Sequence, residues 1–302
     1  MRKALPADHL SHSQLAFNSA AWWTARPEDA VRHLAEIGYS AIELGAHPQA
    51  LPPSGLTSAR AAAVRQAADD AGLNIAALNL TSSYLLGETP HEPSLISPHA
   101  ALRSMRIELI RRGIAFAAEL GTDLVVISSG TSSADITRLT AICHLIDGLE
   151  VLVEDAKTAG VRIALKPLPL NLIDGYRAYL EVWHAFESSP FGLCLDFASA
   201  YCAFEDLAVV IADAPALLHV HVADMRDRDG RHLIPGKGEI RIAAALRALR
   251  RRSYSGALAV NLPGHSLDPA RAAQLARAEL LKLWPNAGET RRPDEARMAP
   301  CQ

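Results

Sequence analysis

The chain has 302 residues, with 30 basic and 33 acidic side chains, a formal net charge of −3 and 49% apolar residues. This composition suits a large buried core and gives no electrostatic reason to expect a nucleic-acid partner, because duplex binders concentrate basic residues on one face. The basic run at 247–252 closes a predicted helix, where cations favour the negative end of the helix dipole.

The cysteines lie in apolar contexts without paired short spacings, which predicts reduced packing residues. No segment has the apolar length of a secretory signal or a membrane span, so we expect a soluble, cytoplasmic protein without a membrane partner. Segments 1–13 and 286–302 are polar, proline-bearing and aperiodic, which predicts flexible tails around a single domain at 14–285. The cysteines are Cys143, Cys194, Cys202 and Cys301.

Short apolar runs alternate with longer segments of helical period along the chain. Eight such units favour a closed (β/α)8 TIM barrel over an open doubly wound sheet, and no GxGxxG motif follows the first strand to indicate a dinucleotide fold. Several helical segments end in a glycine suited to a helix C-cap. The predicted strands are 14–19, 41–47, 75–83, 124–130, 162–168, 192–198, 217–224 and 257–264, and the C-cap glycines are Gly38, Gly72, Gly121 and Gly160.

In such a barrel the chemistry lies where strands end and the following loops begin. Polar residues near the ends of otherwise apolar strands therefore predict a shared polar centre, because a buried polar group without a partner is destabilising. Some of these residues are expected to be hydrogen-bonded plugs only. They are Glu43, Asn79, Ser128, Lys166, Asp196, His219, His221, Asp224 and Asn261.

Three stretches carry a family resemblance. GLCLDFASAY (192–201), LLHVHVADMRDRDGRHLIPGKGEI (217–240) and GALAVNLPG (256–264) resemble the last three strands of the xylose-isomerase-like superfamily of sugar phosphate isomerases and epimerases. The most specific part is the HxHxxD strand followed by GRH and PGxGEI. The resemblance covers about 14–284 and implies a divalent ion at the barrel mouth, held by Glu, Asp, His and Glu from strands five to eight. This ion would polarise a substrate carbonyl while a proton moves through an enediolate.

This chain departs from the family at the implied metal site. The aspartate falls on Asp196 and the histidine on His221, but Lys166 and Asn261 stand where the two glutamates are expected. The formal charge of the cluster changes from about −3 to about zero, and an ammonium has no lone pair for a metal. We therefore expect no metal cofactor. Two further family positions also differ, at Ser199 and Lys237.

These departures predict that the Lys166 ammonium occupies the space of the lost cation, paired with Asp196 and hydrogen-bonded to Asn261. A lysine held in this way can stabilise an enolate oxygen, act as a base if its pKa is lowered, or form a Schiff base. Asn261 would orient a substrate oxygen.

His221 and Glu43 are the acid and base candidates, Glu43 on condition that its pKa is raised. His219 and His221 share one face of strand seven, with His221 expected at the mouth and His219 deeper, as a satisfied core residue.

Further substrate contacts are expected from the loops. The loop after strand seven offers cations and an imidazole to an anionic or hydroxylated substrate, with an ordinary solvated loop as the alternative. Two tryptophans after strand one offer a flat apolar wall, although packing explains at least one of them. His47 ends strand two, and Tyr84 and His91 are expected to contribute a lid. The substrate-binding candidates are His232, Arg231, Lys237, Trp22, Trp23, Asn79, His219 and Ser199.

The sequence therefore predicts an enzyme that epimerises, isomerises or eliminates on a small sugar-like or α-hydroxycarbonyl substrate without the metal of the family. One alternative is a non-catalytic binding or partner subunit with a structural Lys166–Asp196 pair. Another is an epimerase that holds Mn, Mg or Zn weakly on Asp196, His221 and Asn261. The resemblance also implies a homo-oligomer. A trinuclear zinc site like that of endonuclease IV is excluded, because too few ligands remain, although His232 matches one.

Overall fold

The computed structural model describes residues 15–187 and 189–284. Within these ranges eight parallel strands close into one barrel in chain order, with helices between them. The predicted single-domain (β/α)8 barrel is confirmed. The tails predicted at 1–13 and 286–302 lie outside the described residues, as does Cys301.

The barrel strands are short and almost wholly buried, which is why each appears in the sequence as an apolar run. All eight predicted strands are present, and each ends one to four residues earlier than predicted. The strands are β1 Leu15–Asn18, β2 Ala41–Gly45, β3 Asn74–Asn79, β4 Leu124–Ile127, β5 Arg162–Leu165, β6 Phe191–Asp196, β7 Leu217–Val222 and β8 Leu258–Val260.

The helices cover the outside of the barrel. The four predicted C-cap glycines each adopt a left-handed conformation at a helix end, and the basic run ends α8 as predicted. In the two described ranges no helix has both the length and the apolar character to cross a bilayer. The helices are α1 Pro27–Ile37, α2 Ser58–Ala71, α3 Ala100–Leu120, α4 Arg138–Ala159, α5 Tyr176–Trp183, α6 Phe197–Cys202, α7 Leu207–Asp213, α8 Ile242–Arg251 and α9 Pro269–Leu283.

The three described cysteines are free thiols in different environments. Cys194 is buried inside the barrel and Cys202 is half-buried, in agreement with the prediction of packing residues. Cys143 is exposed on α4, so that prediction is wrong for this residue. The sequence around Cys143 is apolar, but its position on the helix faces away from the core.

The barrel register is irregular at two places. The pairing of β2 with β3 shifts between Ile42 and Glu43, and the pairing of β6 with β7 shifts between Leu193 and Cys194. Such bulges re-aim the side chains that follow them, and they are common beside functional sites. Here they adjoin the strands that carry the buried polar residues of the barrel.

Asp224 of the HxHxxD motif fixes the long loop after β7. Its carboxylate accepts hydrogen bonds from the backbone N–H groups of Met225 (2.9 Å), Gly236 (2.9 Å) and Ile240 (3.0 Å). Asp224 was predicted to join the polar centre, but the structure gives it a separate role as the anchor of this loop. Gly238 passes so close that an added Cβ would lie 2.3 Å from the Met225 carbonyl oxygen and 2.4 Å from Asp224 Oδ1. This packing explains why the PGKGEI stretch needs a glycine there.

Gly238→Ala is expected to lower the free energy of unfolding by about 1–3 kcal/mol, the usual cost of adding atoms to a well-packed site. Chemical denaturation measures the change. Gly264→Ala is the matched control, since a Cβ there meets no atom within 4 Å, and it should change stability by less than about 0.5 kcal/mol. Equal destabilisation of the two variants would contradict the anchored loop.

Candidate active site

A cavity of about 620 Å³ lies at the carboxyl ends of the barrel strands. Strand-end residues form its floor and the loops after β1, β2, β3, β5, β7 and β8 form its walls. This is the place predicted from the barrel architecture. The lining residues that bear on the chemistry are Asn18, Trp23, His47, Asn79, Ser83, Tyr84, His91, Lys166, His232 and Asn261.

A buried ion pair joins the cavity floor to the layer beneath it. Lys166 follows β5 directly, and its Nζ lies 2.7 Å from Oδ2 of Asp196, the last residue of β6. The two side chains are only 4% and 1% exposed. Burial disfavours both charges, but each charge outweighs that effect on the other, so the pKa of Lys166 is raised and the pKa of Asp196 is held well below its ordinary value. The predicted pairing of these residues is confirmed.

The remaining lone pairs of Asp196 are also used. Oδ1 caps α6 by accepting the backbone N–H groups of Ala198 (2.9 Å) and Ser199 (3.0 Å), and Oδ2 accepts Nδ2 of Asn261 at 3.2 Å. The amide of Asn261 was predicted to bond Lys166, and the structure instead directs it to the carboxylate. Ser199 is buried in the first turn of α6, away from the cavity lining, so its predicted substrate contact is not supported.

Glu43 is the centre of a second, deeper cluster. Its Oε1 accepts from Asn18 Nδ2 at 3.3 Å and from Asn79 Nδ2 at 2.6 Å. The Nε2 atom of His219 lies 3.0 Å from Oε2, and that of His221 lies 2.9 Å from both oxygens. Burial alone would raise the pKa of Glu43, but the two histidines outweigh it and the pKa is lowered. The condition set for Glu43 as an acid or base, a raised pKa, is therefore contradicted.

His221 connects the two carboxylates. While Nε2 faces Glu43, Nδ1 lies 3.4 Å from Asp196 Oδ2, close enough for an ion pair but without a hydrogen bond. Burial opposes a charge on this ring, but nearby negative groups, Glu43 and Asp196 among them, outweigh burial and raise the pKa of His221 well above its ordinary value. His221 is fully buried beneath the cavity, and was wrongly expected at the mouth.

His219 differs from His221 in charge. The two rings stand 5.1 Å apart on one face of β7, as predicted from their spacing. Burial lowers the pKa of His219 more than Glu43 raises it, so the ring is neutral and donates from Nε2. The cluster then holds two cations, Lys166 and His221, against two carboxylates. His219 is a core residue, as expected, but its buried Nδ1 has no hydrogen-bond partner, so the expectation of a satisfied ring is not met. His219 does not line the cavity.

The opposite charge states predict different histidine titrations. A raised folded pKa means that protonation of His221 stabilises the fold fully below about pH 6.5 and that this contribution is lost as pH rises through the folded value. Two-dimensional ¹⁵N NMR of the imidazoles should therefore find His221 cationic well above about pH 6.5 and His219 neutral at and below it. The His219→Gln variant lacks the His219 imidazole, so the signals that disappear from its spectrum are those of His219. A neutral His221 at neutral pH would contradict the charge balance described here.

Three of the predicted substrate contacts line the cavity: Asn79, Trp23 and His232. The rings of Trp23 and His47 have their centroids 5.7 Å apart. Trp22 is a core residue, packed edge-on against Phe17.

Arg231 and Lys237, which were predicted to contact the substrate, have other partners in the structure. Arg231 pairs with Asp229 in solvent, and Lys237 lies 3.6 Å from Glu279 on α9. Neither residue is part of the cavity lining. Their contact with a substrate therefore stays a prediction.

One residue of the candidate site was missed. Asn18 ends β1, lines the cavity and donates to Glu43. The rule that selected polar residues at strand ends applies to it equally. Ser128, which the rule did select, has a buried hydroxyl without a hydrogen-bond partner.

The residues at the four implied metal positions do not fit a divalent ion. The Lys166 ammonium lies 2.7 Å from Asp196, and the Asn261 side-chain NH₂ donates to the same carboxylate. His221 is held as a cation between two carboxylates and has no lone pair to offer in that state. An ion at these positions would have to displace the ammonium.

A different three-residue set has the composition of a metal site. Ligand atoms of Glu43, His219 and His221 lie within 4.8 Å of one another. The same atoms are engaged in hydrogen bonds of 2.9–3.0 Å, and none of the three residues lines the cavity. Any ion bound there would be enclosed by protein and without an open position toward the cavity, unlike a catalytic metal.

Comparison with known proteins places this geometry in context. The family model described as xylose isomerase-like TIM barrel matches residues 31–283. Fructoselysine 3-epimerase from Shigella flexneri is 24% identical over 245 residues, which cover 78% of this chain and 84% of the relative. An uncharacterised protein of Methanocaldococcus jannaschii is 26% identical over 178 residues, covering 54% of this chain and 59% of the relative.

Solved structures share the fold at low identity. A D-tagatose 3-epimerase-like protein superposes with a TM-score of 0.76 at 19% identity, over 89% of this chain and 96% of that chain. The IOLI protein, solved with a bound zinc atom, has a TM-score of 0.75 at 19% identity, over 89% and 97% of the two chains. An L-ribulose 3-epimerase has a TM-score of 0.73 at 21% identity, over 90% and 94%.

Proposed function

Because the chain belongs to the xylose isomerase-like TIM barrel family, we propose that it is an epimerase or isomerase that moves a proton on a small, sugar-like α-hydroxycarbonyl compound. The similarity to fructoselysine 3-epimerase and the fold shared with other sugar 3-epimerases support this reaction class. Such reactions remove a proton beside a carbonyl and place negative charge on oxygen, so the site must stabilise an oxyanion.

The observation that carries the proposal is the buried ammonium in the cavity floor. Lys166 lines the cavity while its Nζ lies 2.7 Å from Asp196. With its pKa raised, Lys166 stays protonated, which disfavours the two roles that need a neutral amine, general base and Schiff base. The remaining role is electrostatic: the ammonium donates to the carbonyl oxygen as it becomes an enolate, in place of the divalent ion of the family.

Amide groups on the floor would orient the substrate. Nδ2 of Asn261 donates to Asp196, and its Oδ1 can accept from a substrate hydroxyl. Asn79 is held more tightly, since Nδ2 donates to Glu43 and Oδ1 accepts from Thr81. Asn261 is therefore the better candidate for a direct contact.

The charge of the cavity favours an unphosphorylated substrate. Among the described residues of the lining, Lys166 is the one Lys, Arg, Asp or Glu, and its charge is already balanced by Asp196. Arg231 and Lys237, the two loop cations predicted to meet an anionic or hydroxylated substrate, pair with Asp229 and Glu279. Phosphate recognition ordinarily needs several such donors.

A second candidate is a metal-dependent epimerase. It is favoured by the Glu43, His219 and His221 set, whose donor atoms suit zinc or manganese in kind. The burial of that set argues against contact between an ion and the substrate. A non-catalytic sugar-binding subunit is the third outcome to be distinguished.

Proton exchange tests the reaction class. The chelator-treated protein is incubated with D-tagatose, D-psicose or L-ribulose in deuterated water, and NMR follows deuterium incorporation beside the carbonyl. We expect exchange with at least one sugar, and a drop of about 10²–10³ in rate for Lys166→Met, the usual loss for an oxyanion donor. Lys157→Met, at an exposed position on α4, is the control. Sugars that bind by thermal shift without exchange, both before and after Mn²⁺ or Zn²⁺ is returned, would indicate a binding subunit.

Restoring the carboxylates tests the inherited site. The double variant Lys166→Glu, Asn261→Glu recreates the family ligand types beside Asp196, and it should bind Mn²⁺ in calorimetry where the wild type does not. Asn261→Glu alone keeps the ammonium and should not bind. Tight Mn²⁺ binding by the wild type, abolished by Glu43→Gln, would instead favour the metal-dependent candidate.

A further inference from the structure

The proposed reaction needs a base that reaches the cavity. The two central carboxylates, Glu43 and Asp196, lie beneath the floor and are saturated with hydrogen bonds. Lys166 is held as a cation. Among the described residues of the lining, this leaves His47, His91 and His232 as the imidazoles able to take a proton.

Hydrogen bonds separate these three imidazoles. The Nδ1 atom of His47 accepts the backbone N–H of Gln49 at 3.2 Å, so its proton resides on Nε2 and the ring presents a donor. His91 has Nε2 3.3 Å from the Ser83 hydroxyl, and its Nδ1 is buried without a partner. Neither ring presents an accessible lone pair to a substrate.

His232 is arranged differently. Its Nδ1 lies 2.9 Å from the backbone carbonyl oxygen of Asn261. A carbonyl only accepts, so Nδ1 carries the proton, and in the neutral ring the lone pair is on Nε2. This is the arrangement of a histidine base whose tautomer is set by a second group.

The fold also fixes the position of the ring. The loop that carries His232 is anchored by Asp224, and Leu233 next to His232 exchanges backbone hydrogen bonds with Asp224 at 2.7 and 2.8 Å. The backbone carbonyl of His232 accepts from Nε2 of His265 at 3.0 Å. A base held on both its ring and its backbone is preorganised for proton transfer.

We propose that Nε2 of His232 is the general base of the reaction, an inference that rests on the proposed function. The C–H bond beside the carbonyl breaks, its proton bonds to Nε2, and its electron pair forms the C=C bond of the enediolate. The carbonyl π electrons move to the oxygen that Lys166 contacts. The His232 imidazolium then returns the proton to carbon.

The barrel order constrains where the proton returns. His232 follows β7, so it delivers to one face of the enediolate, and return to the neighbouring carbon gives an isomer. Epimerisation requires delivery to the opposite face. The loop after β3 lies four strands from β7, on the opposite side of the closed barrel. Its residues His91 and Tyr84 line the cavity on that side.

Exchange kinetics with a rescue test the base. In the D-tagatose, D-psicose and L-ribulose assay, His232→Gln should lose at least about 10²-fold in exchange rate while still binding sugar by thermal shift. Added imidazole should restore part of the rate to His232→Ala, an effect that a purely structural role would not produce. His184→Gln, at an exposed histidine paired with Glu187, is the matched control and should exchange normally. Undiminished exchange by His232→Gln would overturn the proposal.

The tautomer gives a readout that needs no substrate. Long-range ¹H–¹⁵N NMR of the labelled protein, assigned with His232→Gln, should show a protonated Nδ1 and an unprotonated Nε2. A proton on Nε2 would overturn the base and leave the proposed function standing. Wild-type protein that exchanges no proton on any of the three sugars would overturn both.

Discussion

The contact between Lys166 and Asp196 determines the organisation of the barrel centre. Two charges with almost no solvent exposure need close partners, and losing one partner of such a pair costs about 3–5 kcal/mol. The contacts extend beyond the pair, because Asp196 also lies near His221 and His221 contacts Glu43. Positive and negative groups alternate along this chain of contacts.

The alternation divides the site into two layers with different duties. The lower layer contains the carboxylates and His221, whose protons are committed to one another and whose side chains do not line the cavity. The upper layer presents Lys166, Asn261 and neutral imidazoles to the substrate. In our proposal, the Lys166 ammonium stabilises the oxyanion and His232 moves the proton.

Sequence reasoning succeeded where local pattern determines structure. Strand runs and C-cap glycines predicted the barrel, and the strand-end rule brought Lys166 and Asp196 together, because parallel strands in a closed barrel have their carboxyl ends at one mouth. It failed on depth. A strand position does not say which layer a side chain reaches, so His221 was expected at the mouth and Glu43 was given the wrong pKa direction. The sequence also could not show that Lys237 pairs with Glu279, because this partner lies on the distant helix α9.

The central claim is that a side-chain cation takes the place of a bound ion. Elemental analysis tests it most directly, on protein expressed in medium supplied with manganese and zinc and purified without chelator. The account predicts much less than one equivalent of any divalent metal per chain in a sample that still exchanges substrate protons. One equivalent of manganese or zinc, with activity lost on its removal and regained on its return, would contradict it.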